Sequence, residues 1–580
     1  MNVFRSAVAM CLLVSVSMAE DRQSAAQLCP NSTVIYAEVP NPPELISTIF
    51  DHPLRERIEA LEPYRQAIQS QPYRNFLTGR KFVEIQLDME WRQALETLTA
   101  KGIYLGIDAK TQGVALLVRG RDADSMELLR SKLLQLLTLG RDSDAVRQGD
   151  YRGISAYELN ETKLAVAEDW LVVTNKSDLG KSVLDRILDG DGESLNDDEQ
   201  FQAARLGRGE NLTAWAFANL AAVRNAGVAG KLFAGDAENP GGELLVGGIM
   251  SALQQTPFAT AELTANHAGL NLSAGMPYRN DWIPEEREYY FGPNGSGRAP
   301  NLPEAKDTLF TLSTYRDVSE MWLRAGDLFN EQIIDGFAEA DANLTTLFAG
   351  KDFGEDILGS LTPEIGFIAT KQDFGNTLPR PAIRLPSFAL VLGLKEPESM
   401  SRELRRTFQS MVGFFNVIGA MEGRPQLEME MDRLDNGAEL ITSTYVPEPD
   451  DAQSTQAAII FNFSPSVGFA GERFVVSSSA SLARELTSAP APRVPLRAEN
   501  TAVGLQADIL KSVLNENREQ LISQNMLEEG HSRDEAEAAI NLLLEFVGVF
   551  EDASLKLSTT SDRLAVDLGV RLKDSTGAAR

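Results

Sequence analysis

Residues 164–179 read LAVAEDWLVVTNKSDL, and residues 467–482 read VGFAGERFVVSSSASL. Each stretch opens on a short apolar run and breaks at two polar turn residues, Glu168-Asp169 or Gly471-Glu472. A second apolar run follows, Trp170 to Val173 or Phe474 to Val476. Two strand-length runs across a tight polar turn predict a β-hairpin. Both then reach Asn, Ser or Thr side chains suited to capping a helix, expected at 176–188 in one case and at 480–486 in the other. One local plan found twice in a chain of 580 residues turns attention to repeats.

Four further segments match in the same order. Residues 113–126 (GVALLVRGRDADSM) align without a gap on 387–400 (SFALVLGLKEPESM), so that Ala115, Leu116, Ser125 and Met126 recur as Ala389, Leu390, Ser399 and Met400. Val34-Ile35-Tyr36-Ala37 stands against Leu309-Phe310-Thr311-Leu312, Leu212 to Phe217 against Asn500 to Leu505, and 258–276 against 550–568 as a closing hairpin. The expectation is a tandem duplication with one copy at 28–276, a second at 304–574, and a joining segment at 277–303. That segment carries five prolines and reads as a linker. Its Trp282, Tyr289, Tyr290 and Phe291 are unusual in a free linker, and are expected either to pack against one lobe or to face a ligand between the two. Strands joined by short turns imply antiparallel pairing. The fold class expected is therefore α+β, with two tandem homologous lobes, each a mainly antiparallel β-sheet with helices packed on one face.

Lys and Arg number 54 against 83 Asp and Glu, a formal net charge of −29. Phosphate-binding surfaces need the opposite excess, so no nucleic acid is expected as a partner, and docking by charge on anionic lipid is disfavoured for the same reason. Residues 1–19 read as a secretory signal peptide. Arg5 supplies the positive end, Ala7 to Val16 the apolar run, and Ser17 and Ala19 the small residues before a cleavage point at Glu20. The run is short of the ~20 apolar residues a membrane span needs, and no later stretch approaches that length. The mature chain is expected to carry no membrane span and to be secreted or periplasmic. Cys11 leaves with the signal, so Cys29 remains as a free thiol, and stability must come from a buried apolar core.

Reactive constellations are scarce. His52, His267 and His531 are the three histidines, none recurs at the matching place in the other copy, and each is expected at the surface. Gly153-Ile154-Ser155-Ala156-Tyr157 lacks the last glycine of a nucleophile elbow. Gly180-Lys181-Ser182 ends like a phosphate loop, but Asn175 stands where the first glycine belongs. Gly292 to Arg298 is glycine-rich without a preceding strand, and Asp352-Phe353-Gly354 and Asp373-Phe374-Gly375 are isolated tripeptides. Asp189-Gly190-Asp191-Gly192-Glu193 alternates oxygens as a calcium loop does, yet Ser194 replaces the turn glycine and Gln200 the final glutamate. Asp197, Asp198 and Glu199 add oxygens nearby, while the simpler reading is a solvated loop in which Ser194 or Asp197 caps a helix beginning near Phe201. Glu428, Glu430 and Asp432 share one face of a strand, expected to face solvent. No catalytic, cofactor-binding or metal-binding residue, and no cofactor, is assigned.

The opening Val34-Ile35-Tyr36-Ala37-Glu38-Val39-Pro40, the strand Phe474-Val475-Val476-Ser477 with Ser481-Leu482 after it, and Ser194-Leu195-Asn196-Asp197-Asp198 before a helix resemble secreted bacterial proteins built from a repeated domain of unknown function. The resemblance implies export and an α+β repeat, and it brings no activity or site residue with it. The expected function is that of an exported, non-enzymatic binding or scaffold protein of the bacterial periplasm or envelope, whose partner is an unknown protein or envelope component. The alternatives are a secreted hydrolase working with carboxylates alone, and a carrier of an apolar ligand, which needs a cavity between sheet and helix.

Overall fold

The computed structural model describes residues 24–573 apart from 54, 56–58, 60–61, 139–145, 191, 228, 236–238, 349, 376–377 and 450–451. The signal peptide read at 1–19 lies outside the described residues. By compactness the chain divides into two units, 1–49 with 71–222, and 50–70 with 223–580. Both combine helices with antiparallel strands, the α+β class.

The first unit holds β1 (Thr33–Val39), β2 (Gly102–Asp108), β3 (Gly113–Arg119), β4 (Arg147–Tyr151), β5 (Ile154–Leu159), β6 (Thr162–Ala167), β7 (Trp170–Thr174) and β8 (Ala214–Ala218). Their pairings run β8-β1-β2-β3-β7-β6-β5-β4, antiparallel throughout. The second unit holds β9 (Ala259–Asn266), β10 (Gly269–Pro277), β11 (Thr308–Tyr315), β12 (Leu361–Thr370), β13 (Ser387–Leu394), β14 (Leu427–Arg433), β15 (Glu439–Tyr445), β16 (Ser466–Ala470), β17 (Arg473–Ser477), β18 (Thr501–Gln506), β19 (Phe550–Thr559) and β20 (Arg563–Leu572). Part of its ladder runs β18-β11-β12-β13-β17-β16-β15-β14. This is the order of the first unit, strand for strand.

The second unit's ladder continues from β18 through β19, β20 and β10 to β9. Residues 223–276, which the repeat alignment groups with the first copy, sit with the second unit because β10 pairs along its whole length with β20.

The two quoted hairpins are β6–β7 and β16–β17. At their turns, Glu168 adopts a left-handed φ of 53° where its aligned partner Gly471 adopts 61°. Each hairpin is followed by the expected helix, α1 (Ser177–Asp189) in one unit, and in the other a helix at Ala480–Ser488 whose Ser479 side chain accepts from the Leu482 amide.

The expectation that helices cover one face of each sheet fails in the second unit. Its helix α3 (Pro397–Met421) packs Met400, Leu404, Phe408 and Val412 against Leu394, Phe469 and Phe474. Its helix α4 (Ala480–Ser488) packs Leu482 and Leu486 against Ile368, Ala389 and Val475. Phe474 and Val475 are neighbours on β17 and point to opposite faces, so both faces are covered. On β13, Ala389 packs against α4 and Leu394 against α3, so this strand too carries apolar residues to both faces.

The segment 277–303 belongs to a core. Tyr278, Tyr289, Tyr290 and Phe291 are buried with Met276, Met321, Leu557 and Leu564. Their rings meet edge to face, Tyr290 and Phe291 at 4.7 Å and Tyr278 and Phe291 at 5.4 Å. Helix α2 (Pro240–Gln255) presents Gly248 to this cluster, where a Cβ would stand 2.5 Å from the Tyr290 ring. Tyr289, Tyr290 and Phe291 therefore pack within the second unit instead of facing a ligand, while Trp282 is only half-buried.

Candidate ligand groove

The sequence candidates for chemistry resolve into structural roles. Asp191 lies outside the described residues, so the calcium loop is judged on the rest. Asp189 takes a two-pronged ion pair from Arg152 at 2.6 and 3.0 Å, Asp197 accepts from the amide and hydroxyl of Ser194, both at 2.8 Å, and Asp198 caps the Phe201 amide at 2.7 Å. The helix Glu199–Leu206 is therefore capped by Asp198 and not by Ser194 or Asp197, which instead form a capping box on the short 3₁₀ turn Leu195–Asp197 before it. Gly180-Lys181-Ser182 lies inside helix α1, where Gly180 makes room for the Thr174 methyl. Gly292 and Gly297 close against the Tyr315 ring. Among the described residues no three His, Cys, Asp or Glu side chains converge as metal ligands. His52 and His267, distant in sequence, meet with ring centres 5.3 Å apart, and His531 accepts or donates at Asn525.

Two hollows in the first unit, about 1020 and 1110 Å³, are lined by charged groups. Several of their carboxylates are engaged locally. Asp108 serves Ser32 and Thr111, and Asp169 serves Lys101 and Arg119. Hydrogen bonds from Ser125 hold Asp122 below the ordinary carboxylate range, and those from the Ser194 backbone and hydroxyl do the same for Asp197. Burial pushes Asp169 upward, but Lys101 and Arg119 outweigh it and the net displacement is downward. A general acid needs the reverse, a carboxyl held above its ordinary range.

The second unit holds a groove of another character. Helix α3 lays its buried stripe across the sheet as far as Val412. One turn on, Asn416 takes the place of an apolar residue. Its amide nitrogen donates to the Leu427 carbonyl at 2.8 Å and its oxygen accepts from the Leu427 amide at 2.7 Å, which clips the helix to β14. The apolar row of β13 that faces α3 runs from Leu394, fully covered, back to Leu390 and Phe388, which the helix does not reach. Leu390 is 39% and Phe388 46% exposed, and across from them Phe415 is 46% and Ile418 37% exposed.

Between helix and sheet lies a space of about 550 Å³, floored by Phe367, Phe388, Leu390 and Val476 and walled by Phe415 and Ile418. Phe388 stacks on Phe367 at 6.2 Å, and Phe367 meets Phe310 edge-on at 6.0 Å, so three rings form a row across β11, β12 and β13. The polar atoms beneath are satisfied. The Phe388 amide donates to the Ser478 hydroxyl at 2.8 Å, and its carbonyl accepts from the Ser478 amide at 2.8 Å. The volume falls within the ~300–1,000 Å³ usual for a small-molecule site.

Sequence reasoning missed these residues. The signal present was the pair of adjacent apolar doublets Phe414-Phe415 and Val417-Ile418, more than the covered face of a single helix uses.

No protein-family model matches the chain, and no curated protein does. Among solved structures, crystal form III of TP0453 aligns with 47% of this chain and 86% of its own, at 12% identity and a TM-score of 0.24. Crystal form I of the same protein aligns with 45% and 81%, at 12% identity and a TM-score of 0.22. A superposition this loose says nothing about activity.

Proposed function

We propose that the protein is an exported, non-enzymatic binding protein of the bacterial envelope, and that the groove beneath the end of α3 takes an apolar ligand. The observation that carries this is the floor of Phe367 and Phe388, the latter 46% exposed, facing Phe415 and Ile418 across the groove. Exposed apolar surface of this kind costs free energy in water, and each methylene placed against it gains about 0.8 kcal/mol. Asp122, Asp169 and Asp197 in the first unit's hollows, held by hydrogen bonds and ion pairs and displaced downward, weigh against a hydrolase. The repeated strand order supports reading the chain as a duplicated lobe. Phe388 and Leu390 then stand where the first copy has the smaller Val114 and the equal Leu116, so the aromatic floor belongs to the second copy.

The test is titration with the neutral fluorophore N-phenyl-1-naphthylamine. Saturable one-to-one enhancement is expected, weakened about tenfold in Phe388→Ser and in Ile418→Ser while the thermal transition stays in place. Absence of saturable binding, or equal binding by both variants, overturns the reading.

A further inference from the structure

The groove has a polar mouth as well as an apolar floor. Among its described lining residues Arg424 is the one charged side chain. The chain brings it there by a sharp reversal. Helix α3 ends at Met421, Gly423 takes a left-handed φ of 66°, and the Arg424 amide returns to the Gly419 carbonyl at 2.8 Å. The Arg424 stem therefore lies along the last turn of α3, with its Cβ 3.7 Å from where a Cβ on Gly419 would be. A helix end ordinarily repels an anion through its free carbonyls. Here the Ile418, Gly419 and Ala420 carbonyls already accept from the amides of Glu422, Gly423 and Arg424. The guanidinium is held by Glu422 at 2.7 Å, and both side chains are about half exposed, so this partner is readily exchanged for another anion.

We infer that the ligand is a single-chain amphiphile with an anionic head, its chain on the Phe367–Phe388 floor and its head group on Arg424, taking the place of Glu422. This rests on the groove binding an apolar ligand at all, and names the class of that ligand. One charge at one edge of an apolar slot suits a molecule with one polar end. A neutral hydrocarbon has no use for Arg424, and a cationic head would meet it unfavourably. Carboxylate and phosphate heads share the chemistry that a guanidinium recognises.

Displacement of the naphthylamine probe by four twelve-carbon ligands separates the possibilities: laurate, dodecyl phosphate, dodecanol and dodecyltrimethylammonium. Laurate or dodecyl phosphate should displace the probe at about fivefold lower concentration than dodecanol, and the cation least well. Whichever anion leads identifies the head as carboxylate or phosphate. Arg424→Gln should remove the anion's advantage and leave dodecanol unchanged. Glu422→Gln, which frees the guanidinium, should increase the advantage. Raising the ionic strength should shrink it.

If acid and alcohol compete equally, or if Arg424→Gln weakens both alike, the head-group assignment is wrong while the groove stands. If neither probe nor dodecanol binds, the groove reading itself has failed.

Discussion

Ala389 lies directly opposite Ser477 in the ladder of the second unit, as Ala115 lies opposite Thr174 in the first. The alignment that equates Ala115 with Ala389 and the one that equates Thr174 with Ser477 come from separate stretches displaced by different amounts along the chain. A slip of one residue in either would have turned every side chain to the other face. The two pairings coincide, so the aligned strands keep the same register in both units.

Both alanines are almost fully buried, at 1% and 0% exposure, and at Ala389 the space on that face is filled by Leu482 and Leu486 of α4. Ala115→Leu and Ala389→Leu should each lower stability by about 1–3 kcal/mol through overpacking. Their strand neighbours Val114 and Phe388, on the opposite face and 36% and 46% exposed, should tolerate exchange for Leu within about 0.5 kcal/mol. Urea denaturation of the four variants decides it. Equal tolerance at buried and exposed positions would contradict the facing read from the register.

Arg287 and Glu243 form the most deeply buried ion pair described, with side chains 9% and 0% exposed and nitrogen–oxygen distances of 2.7 and 2.8 Å. Arg287 also donates to Ser251 at 3.0 Å and to the Gly235 carbonyl at 2.6 Å, and the Tyr289 hydroxyl donates to Glu243 at 2.9 Å. The network fastens the 277–303 segment to α2. Arg287→Met, which leaves a buried carboxylate without its cation, should cost about 3–5 kcal/mol. Glu243→Gln combined with it should cost less than the two single losses added. Additive losses in a denaturation cycle would show that the two side chains do not act as a pair.

The hairpins, their turns and the helices after them were legible because each is fixed by residues close in sequence, down to Glu168 in the backbone conformation that Gly471 adopts more cheaply. That β13 carries apolar residues to both faces was also written there, in a run without alternation, but one apolar run reads alike whether one face or two are buried. The groove was not legible. Phe388 and Leu394 are indistinguishable in pattern, and what exposes one and buries the other is how far α3 extends before Asn416 ties it to Leu427. Nor did composition reveal that the 277–303 aromatics form a core, since their partners Met321, Leu557 and Leu564 are remote in sequence.

Cys29 is 1% exposed, packed near Gly106, where a Cβ would stand 3.1 Å from its sulfur. Burial, and next the opposing charge of Arg186 and the reinforcing charge of Asp108, leave its thiol pushed up to about 12 from 9.0. A folded value above the unfolded one means a contribution to stability that is whole below pH 9 and is lost as the pH rises from there towards about 12. The folded protein should therefore react with a thiol reagent at pH 8 only as fast as the 24–30 segment opens, and at once in denaturant. Cys29→Ala should show a shallower loss of stability across that alkaline window. Rapid labelling under native conditions would mean that the thiol is accessible.

Asp169 gives the acid counterpart. It accepts from Lys101 at 2.9 Å and from Arg119 at 3.0 Å, and Arg119 lies 4.9 Å over the Trp170 ring, so one carboxylate ties β3 to the β6–β7 turn. Burial alone would raise its pKa, but the two cations carry it below the ordinary 3.8. With the folded value below the unfolded one, the contribution is whole above about pH 4–5 and is lost as the pH falls through the folded value. Asp169→Asn should cost about 1–3 kcal/mol at pH 7 through weaker hydrogen bonds to both cations. The deficit should hold from pH 7 to pH 5 and narrow as the pH falls below 3.8 towards the lower folded value, where the wild-type carboxyl protonates and loses its charge. Urea midpoints of the two proteins at pH 7, 5 and 3 measure it. A deficit that persists unchanged at pH 3 would assign the loss to packing and deny the ion pair its role.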